Sequence, residues 1–380
     1  MRAPLLDEAI AAVGPIVADV RERGDAALSE WTERFDGPRP DGFRVSREAI
    51  AAATVDGEVL TALRAMIAAV RTFTEAQHPA DTRVEAAPGI VSERRWLPVA
   101  AVGCCVPSGR APLPSSLVMT AVPALVAGVE RVVVVTPRPV AAILVVAREL
   151  GIDEVYAVGG AQAVAALAYG TETIAPVDLV VGPGNAYVTA AKLLVSSRVG
   201  IDLPAGPSEV VVIADETATA ERVAADLLAQ AEHGEESEAL LVTSSAELLD
   251  RVLPLVAEAP NVQLELVTSL AEALARANEF APEHLELHVA EPESLAAGVR
   301  NAGAVFLGCS SIIGDYAAGA THVLPTSGLA RSVGGLGIEA YLRPVQFVTA
   351  TPAGVREAAR IVGPIARAEG LPRHAAAVVG

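Results

Sequence analysis

Four of the chain's six histidines lie in short polar patches that long apolar stretches separate. Each patch combines an imidazole with a carboxylate or a carboxamide, the groups that bind divalent metals and transfer protons. The patches are residues 230–233, 282–284, 314–322 and 369–374. The remaining chain is poor in such groups, so the clustering indicates an enzyme active site whose residues are distributed along the sequence.

Composition narrows the class of protein. A formal net charge of −18 disfavours nucleic acid and anionic membranes as partners, because both reward basic surfaces. The three cysteines form no Cys-x-x-Cys pair, which indicates neither a zinc ribbon nor a disulfide framework. The N-terminus lacks the apolar core of a signal peptide, and apolar runs end before the length of a bilayer span. We therefore expect a soluble cytoplasmic protein.

The elements that must position the patches change in character along the chain. Residues 5–35 and 46–77 have apolar spacing near 3.6, which predicts helical segments separated by a turn at residues 36–42. Short β-branched runs then alternate with alanine-rich helical stretches. The predicted strands are residues 99–106, 131–136, 154–158, 179–181, 209–214, 239–243, 262–267, 285–289 and 304–307.

Continuous apolar strands that alternate with helices imply parallel sheets covered on both faces. Nine strands are too many for one sheet of ordinary size, so we predict an α/β fold with two units. Residues 352–380 predict a helix, a Gly-Leu-Pro turn and a short tail.

Three glycine-rich turns follow predicted strands, at residues 159–162, 182–185 and 205–208. Such turns let a ligand approach the backbone, and the helix N-termini that they open attract phosphate. None has the G-x-G-x-x-G or P-loop pattern, and any one of them alone could be an ordinary connection. Glycine by itself therefore signals a nucleotide site only weakly.

The polar patches have ordinary readings when each is taken alone. Gln230 and His233 share a helix face by their spacing, but a histidine near a helix end is more often a capping or packing group. Glu283 and His284 follow Pro282 just before a predicted strand, where both can reach one cavity, or they form a surface pair.

The later patches lie in loops and at the chain end. Asp315 and His322 flank an apolar loop. Polar residues at both ends of such a loop need a reason to be there. His374 lies near the chain end with Glu369 five residues before it, which suggests a tail that docks into a site.

The order of these motifs resembles the histidinol dehydrogenase family from residue 20 to residue 374. The matching segments include residues 111–116, 158–163, 181–189, 205–210, 225–233, 281–285, 314–319 and 322–328. With so many motifs in one order, the chain is identified as a member. The resemblance implies a zinc- and NAD-dependent enzyme that oxidises the amino alcohol L-histidinol to L-histidine through the aldehyde.

The resemblance assigns roles to residues of this chain. The implied zinc ligands are Gln230, His233, Asp315 and His374. The implied catalytic acid/base groups are Glu283 and His284. The implied substrate contacts are Ser208, His322 and Glu369, with Glu369 and His374 supplied by the partner subunit. The implied cofactor contacts are Gln162, Asn185 and Cys105.

The family's fold implies two incomplete Rossmann-like units with parallel-rich sheets, a helical N-terminal region and a small C-terminal helical tail. The tail crosses to the neighbour, so we expect a domain-swapped homodimer with shared active sites. The expected domains are residues 1–104 with 209–336, an inserted unit of residues 105–208, and a tail of residues 337–380.

The chain departs from the family's usual pattern at several places. Cys105 and Ser108 stand where the family usually has tyrosine and glycine, and the tyrosine is a cofactor-stacking position. The segment between His233 and Glu283, the loop before Asp315 and both chain ends are shorter. Two alternatives therefore stay open: a paralogue that oxidises another small amino or sulfonated alcohol, and a non-redox zinc hydrolase or binding module.

Overall fold

The computed structural model describes residues 4–37, 42–108 and 112–378. Several predicted features lie partly outside the described residues. They are most of the predicted turn at residues 36–42, the first residue of the family motif at residues 111–116, the chain just after Ser108, and residues 379–380. The chain divides into two compact units, the first made of Met1–Gln77 and Ala100–Tyr341, the second of His78–Val99 and Leu342–Gly380. The domain boundaries expected from the sequence stay a prediction.

Helices and strands are numbered in chain order. The α-helices among the described residues are α1 (Pro4–Arg23), α2 (Asp25–Asp36), α3 (Arg47–Ala52), α4 (Gly57–Ala76), α5 (Pro114–Ala127), α6 (Ala141–Glu149), α7 (Gly160–Tyr169), α8 (Ala186–Val195), α9 (Ala220–Ala231), α10 (Ala246–Val252), α11 (Leu270–Phe280), α12 (Pro292–Ala296), α13 (Ile312–Tyr316), α14 (Pro352–Ala368) and α15 (Pro372–Ala376). The strands are β1 (Thr82–Ala87), β2 (Ile90–Pro98), β3 (Ala101–Cys105), β4 (Arg131–Val135), β5 (Glu154–Tyr156), β6 (Leu179–Val181), β7 (Gly200–Ile201), β8 (Glu209–Ala214), β9 (Glu238–Thr243), β10 (Val262–Leu266), β11 (His284–His288), β12 (Ala304–Leu307) and β13 (Leu342–Ala350).

The first unit holds two five-stranded parallel sheets among its described residues. Their strand orders are β5-β4-β3-β6-β7 and β10-β9-β8-β11-β12, so both follow the same order relative to the chain. In each sheet the direction of the strand order reverses beside the strand that comes first in the chain, β3 or β8, as in one half of a Rossmann fold. The predicted α/β fold with parallel-rich sheets is confirmed.

The strands of these sheets form because their side chains are buried on both faces. In β8, Val210 and Val212 pack with α9 residues such as Leu227, whereas Val211 and Ile213 pack with α11. This period of two follows from the pleat, and each buried valine or isoleucine contributes about 1.5–3 kcal/mol. The apolar runs that predicted the strands are therefore the runs that build the two cores.

The N-terminal region contains more breaks than its apolar pattern predicts. The first predicted segment divides at Gly24, whose φ of 56° is in the left-handed region and whose added Cβ would meet the Glu172 carboxylate. The second divides between α3 and α4, and the Ser46 hydroxyl caps α3 by accepting the Ala49 N–H. Spacing near 3.6 continues through both breaks, so the sequence pattern did not reveal them.

The second unit contains a three-stranded antiparallel sheet, β1-β2-β13, followed by α14 and α15. Its strands were not predicted, because their side chains are mostly exposed or only partly buried and carry no long apolar run. The predicted C-terminal helix corresponds to α14, which the Thr351 hydroxyl caps. Among the described residues, no helix combines the length and the apolar character that crossing a membrane requires.

Candidate active site

Two parallel strands bring the first predicted residues together at the amino edge of the second sheet. Ser208 directly precedes β8, and Glu283 directly precedes β11. The two strands are neighbours, with His284 paired to Val210. Because parallel strands begin at the same edge, residues that precede them lie side by side.

A short hydrogen bond joins Ser208 to Glu283. The Ser208 hydroxyl donates to Glu283 Oε2 at 2.6 Å, and the Glu209 N–H donates to the same oxygen at 2.9 Å. Ser208 Oγ also lies 3.5 Å from Gln230 Oε1. Burial raises the pKa of Glu283 to about 7 against the opposing effect of these two hydrogen bonds. The carboxyl group can therefore exchange a proton near neutral pH.

The imidazole of His284 continues this contact chain. Its Nδ1 lies 3.6 Å from Glu283 Oε2, and its Nε2 lies 3.9 Å from Asp315 Oδ1. His322 Nδ1 lies 3.9 Å from the same Asp315 oxygen. Burial lowers the pKa of His284, and it lowers that of His322 to about 4, so both rings are neutral proton acceptors at neutral pH.

Gln230 and His233 come from the end of α9. Gln230 lies in the last helical turn, whereas α9 ends at Ala231 and His233 lies just beyond it. The predicted shared helix face is therefore replaced by a helix end followed by a turn. His233 is exposed, and its imidazole lies near enough to Glu283 and Asp315 to interact electrostatically with both carboxyl groups. It belongs to the same group of side chains.

The donor set fits a divalent metal. Gln230 is buried, yet its Nε2 has no hydrogen-bond partner among the residues that the structure describes. The amide nitrogen and oxygen exchange places by a half-turn of the side chain, so an acceptor oxygen can occupy that position. Imidazole from His233 and carboxylate from Asp315 add nitrogen and oxygen donors of the kinds that zinc takes. Burial raises the pKa of Asp315.

The two tail residues belong to the second unit. Glu369 directly follows α14, and His374 lies on α15. Both side chains are exposed. Their predicted roles in a site of the partner subunit stay a prediction.

The predicted cofactor residues lie at the carboxyl edge of the first sheet, where β3 and β6 flank the reversal of strand order. Gly182 follows β6 with a φ of 111°, and an added Cβ would lie 2.3 Å from the Cys105 carbonyl oxygen. Gln162 is buried at the start of α7, and its Oε1 has no hydrogen-bond partner within the described part of the chain. The carboxyl edge of a parallel sheet beside the reversal of strand order is where such folds bind polar ligands such as dinucleotides.

Asn185 and the two departures have local structural roles. Asn185 Oδ1 caps α8 by accepting the Tyr187 and Val188 N–H groups. Cys105 is buried at the end of β3, and burial raises the pKa of its thiol to about 12. Ser108 accepts hydrogen bonds from the Thr136 hydroxyl and the Arg138 N–H, each at 2.8 Å. Ser108 therefore fastens the loop after β3 to the loop after β4.

Three buried charged residues near the site were missed by the sequence analysis: Asp226, Glu286 and His288. Asp226 lies on α9 and the other two lie on β11, so no local sequence pattern groups the three residues. The available signal was β11 itself, where His-Leu-Glu-Leu-His places three polar side chains on one face of a fully buried strand.

The histidinol dehydrogenase family model matches residues 3–379. The chain belongs to the histidinol dehydrogenase family. It is 44% identical to histidinol dehydrogenase from Corynebacterium jeikeium over 98% of this chain and 90% of that protein. It is 46% identical to the Synechococcus enzyme over 97% of this chain and 91% of that protein.

Solved structures agree with this membership. Histidinol dehydrogenase from Elizabethkingia anophelis superposes with a TM-score of 0.91 at 35% identity, covering 97% of this chain and 91% of that one. Succinate-semialdehyde dehydrogenase from Burkholderia pseudomallei reaches a TM-score of 0.52 at 13% identity, over 91% of this chain and 90% of that one. The second likeness concerns the fold alone.

Proposed function

We propose that this chain oxidises L-histidinol to L-histidine through the aldehyde, in two NAD-linked steps that depend on zinc. The observation that carries the proposal is the continuous series of contacts from Gln230 through Ser208, Glu283, His284 and Asp315. Membership of the histidinol dehydrogenase family supports the same activity.

Gln230, His233 and Asp315 of one subunit, with His374 of the tail, are the residues proposed to hold zinc. Bound zinc would orient the amine and imidazole nitrogens of the substrate, and NAD would accept one hydride in each oxidation. Ser208, His322 and Glu369 are the proposed contacts to the substrate. Placing the alcohol carbon in one fixed position is the main contribution of such contacts.

His284 is the proposed base of the first oxidation. Its pKa is lowered by burial, so its ring enters the reaction neutral and can take the alcohol proton as hydride leaves the carbon. The Glu209 carbonyl lies 3.3 Å from Nδ1 and fixes the ring orientation. With Nδ1 as the donor to that carbonyl, Nε2 is the free acceptor, which lies on the Asp315 side.

Glu283 is the proposed base of the second oxidation. It would take a proton from the water that adds to the aldehyde carbon, which gives the hydrate that loses the second hydride. A carboxyl group whose pKa is raised to about 7 by burial is a stronger base than an exposed one. The Ser208 hydroxyl holds Oε2 and leaves Oε1 for water.

The proposed cofactor contacts are Gln162, Asn185 and the Cys105 position at the carboxyl edge of the first sheet. The Asn185 oxygen is engaged in capping α8, so its Nδ2 is the group left for a cofactor. The loop from β7 to Ser208 leads from the first sheet to the proposed reaction site at the second sheet. Thr189 of α8 donates to the Ala205 carbonyl at 2.6 Å within that loop.

We further propose a homodimer in which the tail completes the neighbouring site, with the domain division given by the sequence analysis. The exposure of His374 and Glu369 within the second unit is compatible with such an exchange. The shared site would make the dimer obligatory for activity.

A paralogue that oxidises another small amino or sulfonated alcohol is the second candidate. Cys105 favours it, because a buried thiol cannot supply the ring that stacks on the cofactor in most relatives. The non-redox alternative has no support from the family to which the chain belongs.

The test incubates purified protein with zinc, NAD⁺ and L-histidinol and follows NADH absorbance, with a chelator control. A panel of other amino and sulfonated alcohols is measured in parallel. We expect chelator-sensitive NADH production with the highest kcat/KM for histidinol. A higher kcat/KM for another alcohol would establish the paralogue, and no NADH from folded, zinc-loaded protein would overturn both candidates.

A further inference from the structure

A buried cluster of charges lies behind the proposed active site. His288 Nε2 lies 2.9 Å from Glu286 Oε2 and 3.3 Å from Asp226 Oδ2. Side-chain exposure is 5% for His288, 0% for Glu286 and 8% for Asp226. Burying such groups costs several kcal/mol per ion before their mutual attraction is counted, so this arrangement needs a reason beyond stability.

The cluster lies on the same strand face as the proposed base. Side chains of β11 alternate, so His284, Glu286 and His288 share one face, and Leu285 and Leu287 pack with α11 on the other. The polar face therefore runs from the proposed reaction site into the interior of the second sheet.

Each member of the cluster belongs to, or contacts, an element that carries a proposed site residue. Asp226 lies on α9, one helical turn before Gln230. Glu286 Oε1 accepts the Ser311 N–H at 2.6 Å. The Ser310 side chain lies near enough to Asp226 to lower the pKa of its carboxyl group. Asp315 follows Ser311 by four residues.

The position of Asp315 depends on this anchor. It lies on α13, a helix of only five residues, and its N–H donates to the Ser311 carbonyl. So short a helix has little stability of its own, and its placement follows from its ends. Glu286 therefore binds the backbone at Ser311, the point at which α13 begins, and Asp226 lies beside Ser310.

A divalent cation is the other occupant that this cluster could take, since one ligand atom of each residue lies within 4.8 Å of the others. The imidazole of His288 already supplies a positive charge to the carboxylates of Asp226 and Glu286. Burial would lower the pKa of His288, but the carboxylates of Asp226 and Glu286 beside its Nε2 raise it to about 9. A protonated Nε2 donates to Glu286 and cannot be a metal ligand.

We propose that Asp226, Glu286 and His288 form a positioning network that fixes α9, β11 and the start of α13 relative to one another. It thereby sets the spacing of Gln230, His284 and Asp315. The inference rests on the proposed function, because it assumes that these three residues act at one metal-dependent site. Partners one layer behind metal ligands commonly change metal affinity 10–100-fold when they are removed.

The test compares wild-type protein with Glu286→Gln, which keeps the side-chain shape and removes the charge, and with His288→Gln, which removes the charged ring and leaves a polar side chain. Glu265→Gln is the matched control, because Glu265 lies on β10 of the same sheet and pairs with Arg276 at 3.0 Å away from the network. Zinc affinity is measured by competition with a chromophoric chelator, and geometry by the visible spectrum of the cobalt-loaded protein.

We expect both network variants to raise the zinc dissociation constant by about 10–100-fold and to shift the cobalt spectrum. Excess zinc should restore part of their turnover. Glu265→Gln should change neither quantity. If the network variants lost stability but kept wild-type zinc affinity and cobalt spectra, the cluster would be structural only and the proposal overturned.

A milder variant keeps the proposal testable if the glutamine variants do not fold. Ser310→Ala removes only the hydroxyl that contacts Asp226, and we expect a smaller loss of zinc affinity in the same direction; unchanged affinity would then overturn the proposal. A wild-type protein that bound zinc without oxidising histidinol would sink the proposed function alone, because the ratio of zinc affinities would still decide the network.

Discussion

Glu283 and His284 are adjacent in the sequence, yet their surroundings change their pKa values in opposite directions. Burial disfavours charge on both, which raises the pKa of the carboxyl group and lowers that of the imidazole. The result is a pair of proton acceptors that both function near neutral pH. Two successive oxidations need such a pair, because each step releases a proton from a different oxygen.

Replacing Glu283 should separate the two oxidations. In Glu283→Gln we expect oxidation of the aldehyde to fall by about 100-fold or more, because no carboxylate takes the proton of water. The aldehyde step of the wild type should rise with pH through about 7 as Glu283 ionises, and the variant should lose this rise. Rates with histidinol and with histidinal, followed by NADH absorbance between pH 6 and 9, provide the measurement. Equal losses in both steps and an unchanged pH profile would contradict the role.

The sequence could indicate the individual site residues better than their neighbours. Gln230, Glu283 and Asp315 stand in polar patches, and the family resemblance assigned their roles. Glu286 and His288 could not be recognised in this way, because their partners come from α9 and residues 310–311. Contacts between distant segments depend on strand register and helix packing, which local patterns do not contain.

At the scale of elements, one buried ion pair fastens the turn that carries the proposed cofactor contacts. Lys192, the only lysine in the sequence, lies on α8 with its Nζ 2.5 Å from Asp202 Oδ1. The ammonium also donates to the Gly182 and Leu203 carbonyls, and Asp202 Oδ2 accepts the Gly182 N–H. Four groups around the turn after β6 are satisfied together, which suits a site that must stay rigid.

Removing Lys192 should therefore destabilise the protein strongly. We expect Lys192→Met to lower the free energy of unfolding by about 3–5 kcal/mol, because Asp202 remains buried without its counter-charge. Arg64→Gln is the control, since its partner Glu149 forms an exposed pair worth at most about 1 kcal/mol. Urea denaturation gives both values. A loss below about 1 kcal/mol for Lys192→Met would show that water reaches Asp202.

The elements themselves were predictable where burial dictates them. Strands such as β8 and β6 match their predicted bounds, because apolar runs buried on both faces leave few alternatives. The strands β1, β2 and β13 escaped prediction because exposed polar side chains interrupt their pattern, and β13 even contains Pro344. Their pairing depends on partners far along the chain, since β13 pairs with β2.

At the scale of the whole molecule, the two parallel sheets of the first unit repeat one strand order with different uses. The first sheet presents its proposed cofactor residues at the carboxyl edge, whereas Ser208 and Glu283 lie at the amino edge of the second. The fold class does not predict that the proposed reaction site lies at an amino edge. The sequence positions of Ser208 and Glu283 indicate it.

A mixture of inactive subunits should test the proposed exchange of tails. His374→Ala damages the tail and His284→Ala damages the base, so each homodimer should be nearly inactive. In mixed dimers one site combines an intact base with an intact tail, and statistical mixing should restore about a quarter of wild-type activity. NADH production after co-refolding measures it. No recovery, with mixed dimers verified by mass, would place the tail in its own subunit's site.

The most direct measurement quantifies both products of the wild-type enzyme. L-histidinol is converted to completion with zinc and excess NAD⁺, and histidine is determined by amino-acid analysis alongside NADH absorbance. We predict about two NADH per histidine formed, with no aldehyde remaining and no reaction after chelation. One NADH per histidinol with aldehyde as the end product, or turnover that persists without metal, would contradict the account.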